Sequence, residues 1–329
     1  IGFIGHTDVV PADRKSWNSD PFLLSERQDK LFARGLVDMK GAIFCYLEAL
    51  IRFLKSHLLQ CNIHIFLTSD EEGDGLDGIE YLFQQLDLKN FSYCLIGEPT
   101  SSQSIGDTLK IGRRGSLHGN ILIQGQSYHV AYAGKNHPIA CLATLLNSLN
   151  LIRFDDQEMA YFPATSLEVT NITCDKTVEN VIPSKMSLRF NIRYNPSLSP
   201  SKIQSLVEDI LKVSTNNLMS KIDWRFGAQP WLSSLSEEKL KILFPDKCYK
   251  FSCCGGLSDG WKAYKHGIKN LFELGLRNQS AHQHDEWTTV NDLCELSNLY
   301  ETMLIQTPIF LKKFSKDNTV MAQCYTVRN

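Results

Sequence analysis

The spacing of apolar residues predicts strands and helices that alternate along the first third of the chain. The predicted elements are a strand over 1–4, a helix over about 40–56, a strand over 63–68, a helix over 78–86 and a strand over 91–96. One face of the longer helix carries the apolar residues Ile43, Leu47, Leu50 and Leu54. Strands that alternate with helices are typical of an α/β sheet with helices on its faces.

The middle of the chain has a different order of elements. The pattern predicts a strand over 116–123, a helix over 138–152, strands over 165–172 and 186–194, a second helix, and a strand near Trp224. Ser199 and Pro200 suit the cap and the first position of that second helix. Apolar and polar residues alternate over 186–194, so one face of this strand should meet the helices. The order β-α-β-β-α-β is that of a ferredoxin-like unit.

These two patterns predict a discontinuous first domain that carries an insert. We place the first domain at residues 1–114 and 229–329, and the insert at 115–228. Two domains suit a chain of 329 residues, because single hydrophobic cores seldom grow beyond about 250 to 300 residues.

Composition and charge narrow the classes of partner. The 34 basic and 36 acidic residues give a formal net charge of -2, so the chain offers no basic field for a nucleic-acid backbone. No apolar stretch approaches the roughly 18 to 20 residues needed to cross a bilayer, and no basic and then apolar leader opens the chain. We therefore expect neither nucleic acid nor a membrane as a partner.

The cysteines indicate a cellular compartment, and the first residue bears on whether the N-terminus is complete. The 10 cysteines lie in apolar runs, and a chain of this size needs no disulfides, so we expect mostly buried thiols in a reducing cytoplasm. The adjacent pair Cys253 and Cys254 lacks the two-residue gap of zinc knuckles and redox motifs. The chain opens at Ile1 with a predicted strand and without methionine, and we expect that an upstream segment is missing.

Histidine and acidic residues directly follow four predicted strands. These candidate site residues are His6, Asp8, Asp38, Asp70, Glu71, Glu72 and Glu98. Because ligands bind at strand ends in open α/β sheets, four separate loops should deliver these side chains to one crevice. His282, from the C-terminal part, fits the same set. Imidazole and carboxylate ligands without thiolate suit a catalytic zinc or another borderline divalent metal.

Each cluster alone also allows a simpler interpretation. Asp8 can accept the second ring N–H of His6, either beside a metal-bound histidine or as a local cap at a strand end. An acidic run such as 70–72 is, by itself, most often a solvated loop. Neighbouring negative groups at a strand end are costly without a cation, which favours a metal. One of Glu71 and Glu72 should then coordinate, while the other moves a proton.

Seven motifs, in order along nearly the whole chain, resemble those of the M20 family of zinc-dependent amidohydrolases and peptidases. They are GHTDVVP (5–11), ARGLVDMKG (33–41), TSDEEG (68–73), IGEPT (96–100), GRRGS (112–116), ENVIP (179–183) and GGLSDG (255–260). The resemblance implies a zinc-peptidase-like sheet with helices on both faces and an inserted ferredoxin-like α+β dimerisation (lid) domain. The motifs are most similar to those of the family's desuccinylases. This similarity implies hydrolysis of N-succinyl-LL-2,6-diaminopimelate to succinate and LL-2,6-diaminopimelate in lysine and diaminopimelate biosynthesis.

The resemblance also implies roles for individual residues. Two divalent ions, zinc or cobalt, would be held by His6, Asp38, Glu72, Glu98 and His282, with Asp38 as the bridge. Glu71 matches the general base, and Asp8 matches the carboxylate partner of His6. His129 matches a histidine that acts across a homodimer interface. The residues that match substrate-binding positions are Arg114, Asn180, Arg193 and Ser258.

Two of the positions that depart from the desuccinylase pattern lie in or directly after the GGLSDG motif. Leu257 replaces a threonine, and Trp261 replaces the arginine that usually follows Ser-Asp-Gly, which weakens the expected contacts to substrate. An acetylornithine-deacetylase-like or carboxypeptidase-like hydrolase therefore stays open, as does a non-catalytic remnant of the family. Intact ligands beside a free Glu71 favour an enzyme, because a binding-only protein does not need that carboxylate.

The remaining histidines have simpler interpretations, with one exception. We expect surface or capping roles for His57, His64, His118, His137 and His266. His284 lies two residues from His282 and is the alternative ligand. We choose His282 because the family motif aligns it with the ligand position.

Overall fold

A computed structural model describes residues 1–73, 75, 77–86, 91–134, 136–155, 159–175, 178–216 and 218–314. The strands are β1 (Gly2–His6), β2 (Ser25–Arg27), β3 (Lys30–Phe32), β4 (His64–Thr68), β5 (Cys94–Ile96), β6 (Thr108–Lys110), β7 (Gly112–Arg113), β8 (Gly115–Gln124), β9 (Tyr128–His129), β10 (Ser166–Cys174), β11 (Val181–Ile182), β12 (Lys185–Tyr194), β13 (Met219–Ala228), β14 (Trp231–Leu232), β15 (Lys250–Ser252), β16 (Leu271–Glu273) and β17 (Trp287–Thr289). The helices are α1 (Gly41–Ser56), α2 (Ile79–Gln84), α3 (Pro138–Asn150), α4 (Pro200–Thr215), α5 (Glu237–Leu243), α6 (Gly260–Lys265) and α7 (Val290–Phe314). Short helical segments also occur at Arg14–Ser16, Leu36–Lys40 and Val130–Tyr132.

The chain forms two compact units. The first comprises Ile1–Gly112, Leu232–Ser252 and Ser258–Asn329, of which 315–329 lie outside the described residues. The second comprises Arg113–Trp231 and Cys253–Leu257. The predicted insert, 115–228, is thus slightly shorter than the second unit, and the short segment 253–257 groups with that unit although the sequence placed it in the first domain.

The first unit is built on a six-stranded sheet in the order β15-β6-β16-β5-β1-β4. β1 pairs in parallel with both β4 and β5, and β5 pairs in parallel with β16. The predicted α/β sheet is therefore confirmed. Because β1, β4 and β5 are parallel neighbours, the loops that follow them leave from one edge of the sheet.

Helix α1 has the predicted bounds but buries a partly different face. Leu47 and Leu54 are 37% and 51% exposed, whereas Ala49 is fully buried. The helix instead packs through Tyr46, whose ring stacks on Phe3 at 4.2 Å between centroids. The prediction was thus only partly right: Ile43 is buried at 8% exposure, but Tyr46, Ala49 and Phe53, and not the leucines, provide the remaining close contact with the core.

The second unit contains a four-stranded antiparallel sheet in the order β10-β12-β8-β13, together with α3 and α4. This arrangement confirms the ferredoxin-like prediction. Leu188 and Ile192 of β12 are fully buried, as the alternation predicted. Ser199 caps α4 by accepting a hydrogen bond from the Lys202 amide, and Pro200 occupies the first turn.

The cysteines and the helices test two further expectations. Of the nine described cysteines, four are buried, one is half-buried and four are exposed, so the expectation of mostly buried thiols is wrong. Apolar neighbours along the sequence do not decide which face a cysteine takes: Cys174 lies on the exposed end of β10. Cys324 lies outside the described residues. In the part of the chain that is described, no helix combines the length and the apolar character needed to cross a bilayer.

Candidate metal centre

Three parallel strands of the first unit deliver candidate ligands to one place. His6 is the last residue of β1, Glu71 and Glu72 follow β4, and Glu98 follows β5. His6 is 1% exposed and Glu98 is 6% exposed. The His6 Nε2 atom lies 3.8 Å from Glu98 Oε1. The structure therefore brings together His6, Glu71, Glu72 and Glu98 from these three loops, whereas Asp70 belongs to none of the donor groups among the described residues.

Asp38 reaches the same place by another route. The sequence placed it directly after a strand, but it lies in the helical segment Leu36–Lys40 immediately before α1. One carboxylate oxygen, Oδ1, is 3.1 Å from His6 Nε2. The other, Oδ2, is 3.2 Å from His282 Nε2. Asp38 thus turns one oxygen to each histidine, as a bridging ligand does.

His282, and not His284, joins the cluster. His282 Nε2 is 2.9 Å from Glu72 Oε1. Three groups of donor atoms lie within 4.8 Å of one another: His6 with Asp38 and Glu98, His6 with Glu71 and Glu72, and Asp38 with Glu72 and His282. Among the described residues, His284 belongs to none of these groups. The geometry therefore favours His282, the histidine that the motif aligned with the ligand position.

Asp8 contacts His6 differently from the expectation. His6 Nδ1 lies 3.1 Å from the main-chain oxygen of Asp8 and 3.5 Å from its carboxylate Oδ1. The other carboxylate oxygen, Oδ2, accepts a 2.9 Å hydrogen bond from the Glu72 amide. The turn after β1 brings the carbonyl closest to the ring, so the carbonyl shares the orienting role with the carboxylate. The Asp8 carboxylate also ties the backbone of Glu72 to the end of β1.

The two histidines and Asp38 have strongly shifted pKa values. Burial lowers the pKa of His6, but the hydrogen bond to Asp38 and the charge of Glu98 outweigh it and raise that pKa to about 10. Hydrogen bonds to Asp38 and Glu72 raise the pKa of His282 to about 10. Burial opposes ionisation of Asp38, yet its hydrogen bonds with His282 and His6 hold its pKa well below the usual range. The cluster strongly favours positive charge at its centre.

Glu71 has the opposite shift. Burial raises its pKa to about 8; the charge of His6 opposes the rise and the charge of Asp259 adds to it. Asp259 is 3% exposed, and its Oδ1 accepts a 3.1 Å hydrogen bond from Lys262 Nζ. A carboxyl group whose pKa lies near neutrality suits proton transfer. The sequence reasoning assigned no role to Asp259 or Lys262, although Asp259 belongs to the GGLSDG motif.

The donor set fits divalent cations. Its donors are imidazole nitrogens and carboxylate oxygens, which suit zinc and other borderline first-row ions. Several carboxylates in one buried cluster are costly unless cationic charge lies among them. Asp38 belongs to two of the three donor groups, so two ions would share it.

Two of the predicted substrate-side residues lie together in the second unit. His129 Nε2 is 3.3 Å from Asn180 Nδ2, across the pairing of β9 with β11. His129 Nδ1 also accepts a hydrogen bond from the Ala131 amide at 3.2 Å. Because this bond fixes Nδ1 as an acceptor, a neutral His129 carries its ring proton on Nε2, the nitrogen that lies beside Asn180.

The predicted arginines, Arg114 and Arg193, lie in the same unit, and each has a buried nitrogen without a hydrogen-bond partner among the described residues. Arg114 Nη1 donates to the Ala164 carbonyl at 3.1 Å, while its Nε is buried without a hydrogen-bond partner among the described residues. Arg193 Nη1 is likewise buried without a partner in the described part of the chain. Burial and the charges of Arg114 and Arg113 lower the pKa of Arg193. Arg113, which the sequence reasoning missed although it stands in the GRRGS motif, is 4% exposed and donates to Gly256 at 3.1 Å.

Ser258, the fourth predicted substrate contact, lies inside the first unit. It is 3% exposed, and its hydroxyl donates to Glu273 Oε1 at 2.5 Å and accepts from the Gly260 amide. These bonds fix the turn before α6. The structure thus places Ser258 in a supporting position, and its contact with substrate stays a prediction.

Comparison with known proteins places this geometry in a family. The family described as peptidase family M20/M25/M40 matches residues 2–306. A relative from Rickettsia bellii, succinyl-diaminopimelate desuccinylase, is 37% identical over 329 residues that cover 93% of this chain and 81% of the relative. A M20 family metallo-carboxypeptidase from Sulfolobus solfataricus superposes with a TM-score of 0.71 at 18% identity, covering 94% of this chain and 85% of that one. A Bacillus subtilis protein described as a dinuclear metal binding peptidase from M20 family superposes with a TM-score of 0.64 at 13% identity, covering 94% and 81%.

Proposed function

The chain belongs to the M20/M25/M40 peptidase family, and from this premise we propose that it hydrolyses N-succinyl-LL-2,6-diaminopimelate to succinate and LL-2,6-diaminopimelate. Water adds to the succinyl carbonyl carbon, the C–N bond breaks, and the amine leaves with a proton. The name of the Rickettsia relative supports this substrate, and the reaction serves lysine and diaminopimelate biosynthesis in the cytoplasm.

One observation carries the proposal: Asp38 lies between His6 and His282. The two carboxylate oxygens are 3.1 Å and 3.2 Å from the respective ring nitrogens. A single carboxylate that faces two imidazoles, each with a further glutamate nearby, suits a pair of ions and not one. We assign His6 and Glu98 to one zinc or cobalt ion, and Glu72 and His282 to the other.

A pair of divalent ions held by these residues would make the attacking water more acidic and polarise the amide carbonyl. Glu71 accepts the proton of that water and then donates it to the leaving nitrogen. The raised pKa of Glu71, about 8, suits a group that must take up and release a proton near neutral pH. The main-chain carbonyl of Asp8, with the Asp8 carboxylate 3.5 Å from Nδ1, orients the His6 ring and keeps Nε2 directed at the cluster.

The second unit supplies the substrate contacts in this proposal. Arg114, Arg193 and Asn180 bind carboxylate groups of the substrate, since guanidinium and amide donors suit such anions. His129 steadies the reacting carbonyl across a homodimer interface. The edge strands β10 and β13 of the ferredoxin-like sheet offer backbone groups for pairing with a second copy.

A second candidate is a carboxypeptidase-like or acetylornithine-deacetylase-like activity. Trp261 favours it, because an indole offers one neutral donor where the desuccinylase pattern has an arginine. Trp261 stands on α6 with the Lys265 ammonium 5.8 Å from its ring, but this ammonium pairs with Glu80 at 2.8 Å. The succinyl substrate is the first choice because of the similarity to the Rickettsia bellii desuccinylase.

A substrate panel tests the choice. Purified protein loaded with zinc or cobalt is assayed on N-succinyl-LL-diaminopimelate, N-acetylornithine and a dipeptide, with a chelator-treated sample as control. We expect the highest kcat/KM for the succinyl substrate and loss of turnover after chelation. A clear preference for N-acetylornithine or the dipeptide would replace the proposed substrate by the second candidate.

A further inference from the structure

Glu286 is a fully buried carboxylate with no role in the function proposed above. It is 0% exposed and lies four residues after His282. Its Oε2 accepts hydrogen bonds from Arg34 Nη1 at 2.8 Å and from the Gly35 amide at 3.0 Å. Its Oε1 accepts from the Val37 amide at 2.7 Å and from the Asp38 amide at 3.2 Å. One carboxylate thus holds the whole segment that leads to Asp38.

Arg34 extends this connection to His282. Its Nη1 forms the ion pair with Glu286, and its Nη2 points to the main-chain oxygen of His282 at 3.5 Å. The main-chain oxygen of Glu286 also accepts from the Ala33 amide at 3.2 Å. The segments of Asp38 and His282 are therefore joined at their backbones as well as through their side chains.

The connecting segment has little freedom to relax. Gly35 adopts a φ of +79°, and a Cβ there would lie 2.2 Å from Val9 Cγ1. Only glycine fits at this point. The buried Arg34–Glu286 pair also cannot lose one member without leaving a charge uncompensated.

We infer that the Arg34–Glu286 pair is a positioning device that sets the distance between Asp38 and His282 and thereby the affinity of one of two ion positions. This inference rests on the proposed two-ion function. The donor group His6, Asp38 and Glu98 is held partly by strands β1 and β5. The group Asp38, Glu72 and His282 contains no residue of a strand, and the pair ties two of these three residues together.

The pair should therefore act unequally on the two ions. Residues that orient metal ligands typically contribute about 10- to 100-fold in metal affinity. We expect Glu286→Gln to weaken the ion at Asp38, Glu72 and His282 by about that factor and to weaken the other ion less. A residue that only stabilises the fold would change both affinities together or neither.

The experiment is a titration of the chelator-treated protein with Co²⁺, followed by visible absorption and by competition with a chromophoric chelator. Wild type should bind two ions per chain, while Glu286→Gln should fill one position as wild type does and the second only at higher Co²⁺. The matched control is Asp292→Asn, because Asp292 is a buried carboxylate paired with Arg277 at 2.6 Å, and neither belongs to the ligand set. This control should lower thermal stability without changing the ratio of the two affinities.

Arg34→Lys provides the second variant, and it keeps the inference testable if Glu286→Gln fails to fold. Lysine retains the charge beside Glu286 but cannot reach His282 with a second donor, so the same position should weaken, to a smaller extent. The inference would be overturned if a folded variant kept the wild-type ratio of the two ion affinities. It would also be overturned if the loss of affinity were indistinguishable from that in Asp292→Asn. The hydrolysis assay tests the proposed function separately. If wild type binds two ions but cleaves no substrate of the panel, the proposed function is contradicted. The ratio of the two ion affinities still tests the positioning role in that case.

Discussion

His6 and His118 show how differently the two units treat the same side chain. In the first unit, carboxylates around His6 overcome burial and raise its pKa to about 10. In the second unit, burial lowers the pKa of His118, and the charges of Arg225 and Arg193 lower it further. His118 lies between these arginines on the polar face of the sheet, where Asn191 Nδ2 donates to its Nδ1 at 3.1 Å.

The comparison teaches that the cluster around His6 and the sheet face around His118 have opposite electrostatic signs. The cluster around Asp38 is acidic and favours cations, whereas the sheet face around Arg193 is basic and favours anionic groups. Hydrolysis of the proposed substrate would need both properties: ions for the carbonyl and cationic donors for the substrate's carboxylates. Four substitutions test this division.

The largest effect is expected at Glu71. Glu71→Gln removes the group that moves the proton but keeps its size, so turnover should fall by about 10² to 10⁴-fold. Both ions should remain bound, as metal analysis after dialysis can measure. Glu80→Gln is the control, since Glu80 pairs with Lys265 and His266 outside the cluster. Joint loss of ions and turnover in Glu71→Gln would make Glu71 a ligand and reverse its role with Glu72.

The second-largest effect is expected for His282→Ala, because this substitution removes a nitrogen donor from the acidic cluster around Asp38. We expect the bound ions to fall from two per chain toward one, with the affinity of the weaker ion lowered by at least about 100-fold. His284→Ala is the matched control and should bind ions as wild type does. The opposite result for the two variants would move the ligand to His284.

Arg193→Gln tests whether the basic sheet face around Arg193 binds the carboxylates of the substrate. Hydrogen bonds to charged groups contribute about 1.5 to 3 kcal/mol, so the KM for the succinyl substrate should rise by roughly ten- to a hundredfold. The number of bound ions should not change. Arg189→Gln, on the same strand but exposed, should leave KM unaltered. A loss of ions in Arg193→Gln would break the division between the units.

The smallest effect concerns His118 and pH. Because its pKa is lower in the folded state than the ordinary 6.5, the unfolded chain takes up a proton more readily, and stability should fall as pH drops below 6.5. His118→Gln removes this contribution, so the free energy of unfolding should depend less on pH between 6.5 and 5. Urea denaturation at pH 6.5 and at pH 5 measures how the free energy of unfolding depends on pH, with His57→Gln as control. An unchanged slope would mean that the arginines do not act on His118.

Much of the fold and of the candidate cluster could be predicted because both follow local rules. Alternating apolar residues set the faces of β12, and strand ends placed His6, Glu72 and Glu98 together. His282 required a motif, since nothing periodic links it to β1. The simple expectation of a surface or capping role described His137, which caps α3, but not His118, whose partners come from neighbouring strands.

Other features could not be read from sequence because they depend on distant partners. Glu286 and Arg34 are 252 positions apart, and no spacing rule connects them. The buried face of α1 depended on Tyr46 meeting Phe3, which the apolar pattern of the helix does not encode. Asp38 followed no strand of the main sheet, so its approach from the start of α1 was unexpected.

The order of strands in the first unit has a consequence for protein synthesis. β16 lies between β5 and β6 in the sheet, yet Leu271 leaves the ribosome after the whole of Arg113–Trp231. Most of the second unit can therefore fold on the nascent chain while the sheet of the first unit still has a gap. His282 emerges later still, so a prematurely terminated chain carries His6, Asp38 and Glu98 without the last ligand. Under the proposed two-ion function, the second ion can therefore bind only to a chain whose translation has passed His282.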